Sequence, residues 1–310
     1  MGAVAETASR VPALRRRLEK GNLLGALMIA PAIAFIVVLV GGPLILAIYV
    51  SFTDATAGSL TGDFVGLDNF ARALRSTIFR RAMWNTFLFT FASQVLVLLL
   101  GQLVASFLVK DFRGKWLLRM LILLPWAAPI ALGAIGWKWI FDSLYSVLNW
   151  SLQALQILSP AQFPQWLGEP TLALISIIGV HTWRILPFST VIILAGLASI
   201  PREIEEAALV DGASSWQKRI YVTLPMLLPI MTIALLFGIV FTATDMAVVY
   251  ILTRGGPFNT THVVASWAFQ VGILSGSTSS GAAISLFLVP ILVVVSVVML
   301  RFARRIDVGV

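Results

Sequence analysis

Residues 199–225, SIPREIEEAALVDGASSWQKRIYVTLP, interrupt two long apolar segments with a polar, helix-forming stretch. Pro201 suits the first turn of a helix, and Glu203, Glu205 and Glu206 fall where the helix dipole favours negative charge. The helix runs through Ala207, Ala208, Leu209 and Val210 to Gly212, which closes a helix in the left-handed conformation without a Cβ penalty. Ser214 is placed to cap a second short helix carrying Trp216, Lys218 and Arg219, and Leu224 with Pro225 opens the next apolar run. The pattern predicts a compact elbow outside the bilayer, with an acidic first turn, two small alanines that admit another backbone, a corner, and a basic end. From the residues alone, such an elbow is either a docking knob or an amphipathic helix resting on lipid headgroups.

Composition places this elbow in a membrane protein. Of 310 residues, 59% are hydrophobic and only 12% charged, far from a soluble average. A net charge of +8 would suit nucleic-acid binding in a soluble chain. Here the basic residues cluster at the ends of apolar runs, so membrane orientation accounts for them and no nucleic-acid partner is expected. The lack of cysteine excludes disulfides, thiolate metal ligands and a thiol nucleophile.

The chain divides into a basic cytoplasmic tail at 1–22, a six-helix transmembrane domain at 23–302 and a cytoplasmic tail at 303–310. Arg10, Arg15, Arg16, Arg17 and Lys20 precede an uncharged run from Gly21 to Thr53. That run exceeds the roughly 7–15 residues of a cleaved signal core and is long enough to span. Spans are predicted at 24–50, 83–108, 117–141, 171–198, 224–250 and 281–301, with the elbow at 199–225 between the fourth and fifth. The first should kink at Pro31 or at Gly41, Gly42 and Pro43, and the third is broken by Pro125 and Pro129. Asn85, Gln94 and Gln102 in the second are set to hydrogen-bond across helices. A short helical pattern covers Phe70 to Phe79, and residues 263–274 are too short to cross, so they read as a re-entrant or interfacial helix. Of the 22 Lys and Arg, fifteen fall on the elbow side, five on the other and two within spans, which places both termini inside the cell.

Ionisable residues inside a span are functional candidates. In HTWRILPF, residues 181–188, Arg184 is suited either to the cargo or to a structural pairing with Asp245 or a second subunit. Trp183, Arg184, Thr244 and Asp245 are the candidate substrate path, while His181 reads as an interior residue and, without a second histidine nearby, not as a metal site. Trp126, Trp137 and Trp139 fit a lipid-interface belt or a sugar-stacking wall. There is no GK[ST] phosphate loop, no HExxH and no paired intramembrane carboxylates. SGSTSS at 275–280 looks like a flexible loop, and catalysis by this chain is not expected.

Glu206, Ala207, Ala208, Gly212, Leu224 and Pro225 match, in type and spacing, the EAA loop of permease subunits of binding-protein-dependent ABC importers, with Val222 where that family commonly has Ile. VYILTRGGPFNTT at 249–261 resembles the LTxGGP segment of carbohydrate permeases, and FVGLDNF at 64–70 resembles the stretch before their second span. Together they point to the maltose-transporter (MalF-like) and glycerol-phosphate branch. The resemblance implies an all-α, type I importer permease fold in a bacterial or archaeal plasma membrane, with the elbow as a cytoplasmic coupling helix. It also implies three partners: a second homologous permease, an ATPase dimer that uses ATP and Mg, and an extracytoplasmic solute-binding protein. Glu206, Ala207, Ala208, Asp211 and Gly212 would then couple to the ATPase, with Glu206 as polar anchor, the alanines as close-packing positions and Gly212 as the corner. The rival readings are an importer for a non-sugar solute, a secondary transporter, and an assembly factor without transport.

Overall fold

The computed structural model describes residues 22–59 and 61–307. The basic stretch at 1–21 and the last three residues lie outside them, so the expectation for the amino-terminal tail does too. Every regular element described is helical, apart from a single antiparallel bridge between Thr53 and Phe64.

The first span comprises α1 (Asn22–Ile36) and α2 (Gly42–Ser51), joined by a π-turn at Val37–Gly41. Pro31 lies inside α1 and does not break it. The π-turn stands directly before Gly42 and Pro43, and the Gly42 N–H bonds to the Val37 carbonyl five residues back. The same arrangement recurs at Arg219–Thr223, where the Leu224 N–H reaches Arg219 O immediately ahead of Pro225. A wider turn relieves the clash between a proline ring and the carbonyl four residues earlier, which is the physical reason the helix runs through Pro43 and Pro225 without breaking.

Helix α3 (Asp68–Arg75) is short, and Ser76 ends it. Ser76 is extended (ψ 124°) and its hydroxyl accepts the Phe79 N–H, capping α4 (Thr77–Leu108). The predicted helix at Phe70–Phe79 is thus cut in two, and the helix that contains the predicted second span begins at Thr77. The predicted third span is divided into α5 (Lys115–Ala127) and α6 (Ile130–Ile140), bent by 95°. Pro125 sits within α5, so Pro129 alone makes the break, with Ala128 held extended before it at φ −69°, ψ 142°. A surface helix α7 (Val147–Ala154) leads to α8 (Pro170–Ser199).

The elbow helix α9 (Arg202–Val210) follows, then α10 (Ser215–Lys218), which continues through the π-turn into α11 (Leu224–Ala243). The second helix of the elbow is therefore not separate, since Ser215–Ala243 forms one apolar span of 29 residues. Beyond it come α12 (Ala247–Thr253), α13 (Val264–Phe269) with a π-turn at Gln270–Leu274, α14 (Thr278–Leu286) and α15 (Leu288–Asp307). Among the described residues, five helices are long and apolar enough to cross a membrane, and the bent pair α5–α6 is the sixth if taken as one span. Thr278, Ser279 and Ser280 open α14 rather than a loose loop, because the Ser279 N–H bonds to Ala55 O at 3.1 Å and the Ser279 side chain is buried.

Helices α4 and α8 make the most extensive contact, and α11 packs on both. Buried apolar side chains concentrate at the end of the bundle opposite the elbow: Phe89, Ile177, Val180, Val248 and Val249 form one core, and Phe79, Val264, Ile284 and Leu288 another. Polar links fasten the loops there. Asn69 of FVGLDNF donates to Ser51 O (2.8 Å) and Thr53 O (2.7 Å), and Asn85 donates to Thr260 O (2.7 Å) and His262 O (2.9 Å). Gln102 instead bonds to Ser106 on its own helix. His262 is buried beside α13, and that burial pushes its pKa down to about 4, leaving the ring neutral near pH 7. Large apolar side chains such as Leu99, Leu103 and Val298 face outward, as a lipid-facing surface requires.

Where α13 and its π-turn meet α14 the backbones touch. A Cβ on Gly281 would lie 2.4 Å from Gly272 Cα and 2.9 Å from Ala268 O, with backbone on the far side that cannot rotate away. Gly281→Ala is therefore expected to cost about 1–3 kcal/mol, the range for overpacking. A lower midpoint of thermal aggregation in detergent checks this, and an unchanged midpoint refutes it.

Candidate functional site

Two sites emerge, one at the elbow and one within the bundle. At the elbow, Pro201 (ψ 137°) precedes α9, and Glu203 and Glu205 occupy its first turn. The helix ends in a Schellman motif: the Ala213 N–H bonds to Ala208 O (3.0 Å), the Gly212 N–H bonds to Leu209 O (3.1 Å), and Gly212 is left-handed at φ +78°. A Cβ on Gly212 would meet nothing within 4 Å, so the backbone angle, not space, calls for glycine. Ser214 and Gln217 then form a reciprocal capping box, with Ser214 Oγ accepting from Gln217 N (3.3 Å) and Gln217 Oε1 from Ser214 N (2.8 Å). Lys218 Nζ lies 2.9 Å from Glu205 Oε2 and bridges the two helices. Glu206, Ala207, Leu209, Val210 and Asp211 are exposed, Val210 by 87%, while Ala208 is half-buried.

The inner site lies about 22 Å along α8 from its elbow end, at 1.5 Å per residue. Asp245 occupies the break between α11 and α12, where its Oδ1 accepts the Ala247 N–H at 2.8 Å and so anchors the start of α12. Its Oδ2 pairs with the Arg184 guanidinium, and His181 Nδ1 stands 3.1 Å away, close but not aligned as a hydrogen bond. His181 Nε2 meets Thr242 Oγ1 at 2.9 Å, and Gln94 Nε2 donates to the same hydroxyl at 2.7 Å. The chain of contacts thus joins the second, fourth and fifth spans. A Cβ on Gly238 would lie 2.1 Å from Gln94 Oε1, so the bare backbone there lets Gln94 lie across α11.

Of the four substrate-path candidates, the structure brings Arg184 and Asp245 together and leaves the other two apart. Trp183 stands edge-on to Trp137 at 5.6 Å and packs over Gly133. Thr244 is exposed and its hydroxyl bonds to Val240 O. Two discontinuities meet at Arg184: residues 125 and 128–130 of the broken third span line a small cavity with Trp183, Arg184 and Val248. Discontinuous helices around an intramembrane site are a recurring feature of transporters. Gln94 and Thr242 were legible only as polar residues within spans, because their partners lie 148 residues apart in the chain. Among the described residues, no group of three His, Asp or Glu could hold a metal ion.

This all-helical bundle with its polar elbow has the type I ABC importer permease fold seen in the solved structures it resembles. Residues 97–308 match the sequence profile described as binding-protein-dependent transport system inner membrane component, and the chain belongs to that family of multi-pass inner-membrane proteins. It is 33% identical over 281 residues, covering 91% of this chain and 94% of the relative, to the trehalose/maltose transport system permease protein MalF of Thermococcus litoralis. It is 30% identical over 300 residues, 96% of each chain, to the sulfoquinovosyl glycerol transport system permease protein SmoG of Agrobacterium fabrum. Among solved structures, a chain of a bacterial ABC transporter that imports the acidic polysaccharide alginate superposes with a TM-score of 0.78 at 20% identity, over 94% of this chain and 98% of that one.

Proposed function

We propose that this chain is one of two permease subunits of an ATP-driven importer and forms half of the translocation path for a carbohydrate or related polyol. The names of its relatives support the cargo class, as do the LTRGGP and FVGLDNF segments. A second homologous permease would complete the path, a solute-binding protein would deliver cargo at the end bearing α3, α7 and α13, and both termini would face the cytoplasm. Work would come from a separate ATPase dimer using ATP and Mg, gripping the elbow and moving α8 and α11 with it. This is a two-state rigid-body change driven by the nucleotide's differential binding.

The observation that carries this reading is the elbow, a capped, projecting helix with Glu206, Leu209 and Val210 exposed at its tip. Glu206 is assigned as the polar anchor, Ala207 and Ala208 as the close-packing face, and Asp211 with Gly212 as the corner. In the path, Arg184 and Asp245 occupy each other and hold the break in the fifth span, so Trp183 and Thr244 are the better placed to meet cargo. Purifying the tagged chain from its native membrane tests the assignment. A second permease and an ATPase should copurify, and recovery of the second permease without any ATPase would refute the coupling role.

A further inference from the structure

We infer that the Glu205–Lys218 ion pair is a positioning tether that sets the angle between the elbow helix and the fifth span, and through that angle the efficiency of coupling. The inference rests on the elbow being the ATPase contact. Helix α9 and the 29-residue span that begins at Ser215 are joined by only four residues, and each helix end there is closed by its own local motif. The Schellman bonds stay within α9 and its corner, and the capping box stays within α10. Each motif sets the backbone of the corner, but neither places a bond from one helix to the other. Gly212 stands in open space, so no neighbouring side chain braces the corner.

Across that joint, Lys218 Nζ reaches Glu205 Oε2 at 2.9 Å. Lys218 is the last residue of α10, immediately before the π-turn that leads into α11, so a load on α9 passes through this contact to the base of the span. The three acids divide by face. Glu203 and Glu206, three residues apart, share one exposed side of α9, while Glu205 is turned toward Lys218 and half-buried. The pair is partly open to water, with 22% of the lysine side chain and 40% of the glutamate side chain exposed. Pairs so exposed add little to folding stability. Its loss should therefore appear in coupling while assembly persists.

The test uses the complete transporter in proteoliposomes, with uptake counted per ATP hydrolysed. Glu205→Lys and Lys218→Glu should each lower that ratio by roughly fivefold, a coupling change at the low end for linked sites. Glu205→Gln, which keeps the shape and removes the charge, should do the same. The double swap Glu205→Lys with Lys218→Glu should recover most of the ratio, and Lys218→Arg should retain it. Unchanged coupling in the single variants, or a swap as defective as either alone, overturns the tether. The broader reading fails separately, if the unsubstituted chain does not copurify with an ATPase.

Discussion

Replacing Gly212 with valine is expected to reduce transport at least about tenfold while leaving insertion and helix content intact. The prediction follows from two facts that pull apart: the φ of +78° is one that a β-branched residue hardly adopts, yet the space around the position is empty. Forcing a valine there costs roughly 1–3 kcal/mol of backbone strain. Because no neighbour obstructs relief, the corner rather than the bundle gives way. The elbow then leaves its angle and the Schellman bonds to Ala208 and Leu209 are lost. A ranking makes the cause testable: Gly212→Asn should retain most transport because asparagine visits the left-handed region, Gly212→Ala should fall between, and Gly212→Val should be worst. Uptake measured beside membrane abundance would show it, and equal activity across the three would remove the backbone argument. Glu206→Lys should be as defective as valine through another route, reversing the charge at an exposed position proposed as the ATPase anchor without disturbing the corner.

The elbow was legible in the sequence because its determinants are local. The acidic first turn, Gly212 and Ser214 each act within a turn of their own position and do so in the structure, whereas Pro201 stands one residue before the helix rather than inside its first turn. Gln217, which completes the cap, and the Glu205–Lys218 contact were not read from the sequence. What the sequence hid was the fusion of the second elbow helix with the fifth span. Pro225 looked like a fresh start, and only a π-turn, which depends on backbone bonds five residues apart, lets the helix run through it. Prolines were ambiguous throughout: Pro31, Pro125, Pro187 and Pro229 lie inside helices, while Pro129 breaks one. A proline removes the same donor in every case, so the outcome is decided by what surrounds it. The Arg184–Asp245 pair was visible only as one of several possible pairings, since its members are 61 residues apart and burial alone selects between them.

That pair supports the second large effect. Asp245→Ala should destabilise the folded chain by about 2–3 kcal/mol, below the full cost of stranding a buried charge because Arg184 keeps 21% of its side chain exposed. Arg184 would lose its counter-ion, His181 Nδ1 its neighbouring carboxylate, and the Ala247 N–H the acceptor that begins α12. Asp245→Asn should cost less, because an amide oxygen still accepts from Ala247 although the charge is gone. The decisive variant is the double neutral substitution, Arg184→Leu with Asp245→Asn, in which no charge is stranded. If the pair holds the broken span together, the double variant should regain more than half of the stability lost in Asp245→Ala, read as the midpoint of thermal aggregation in detergent, and should keep measurable uptake. If Arg184 instead meets cargo directly, the double variant will be stable and inert, and the ion pair belongs to the translocation path rather than to its frame.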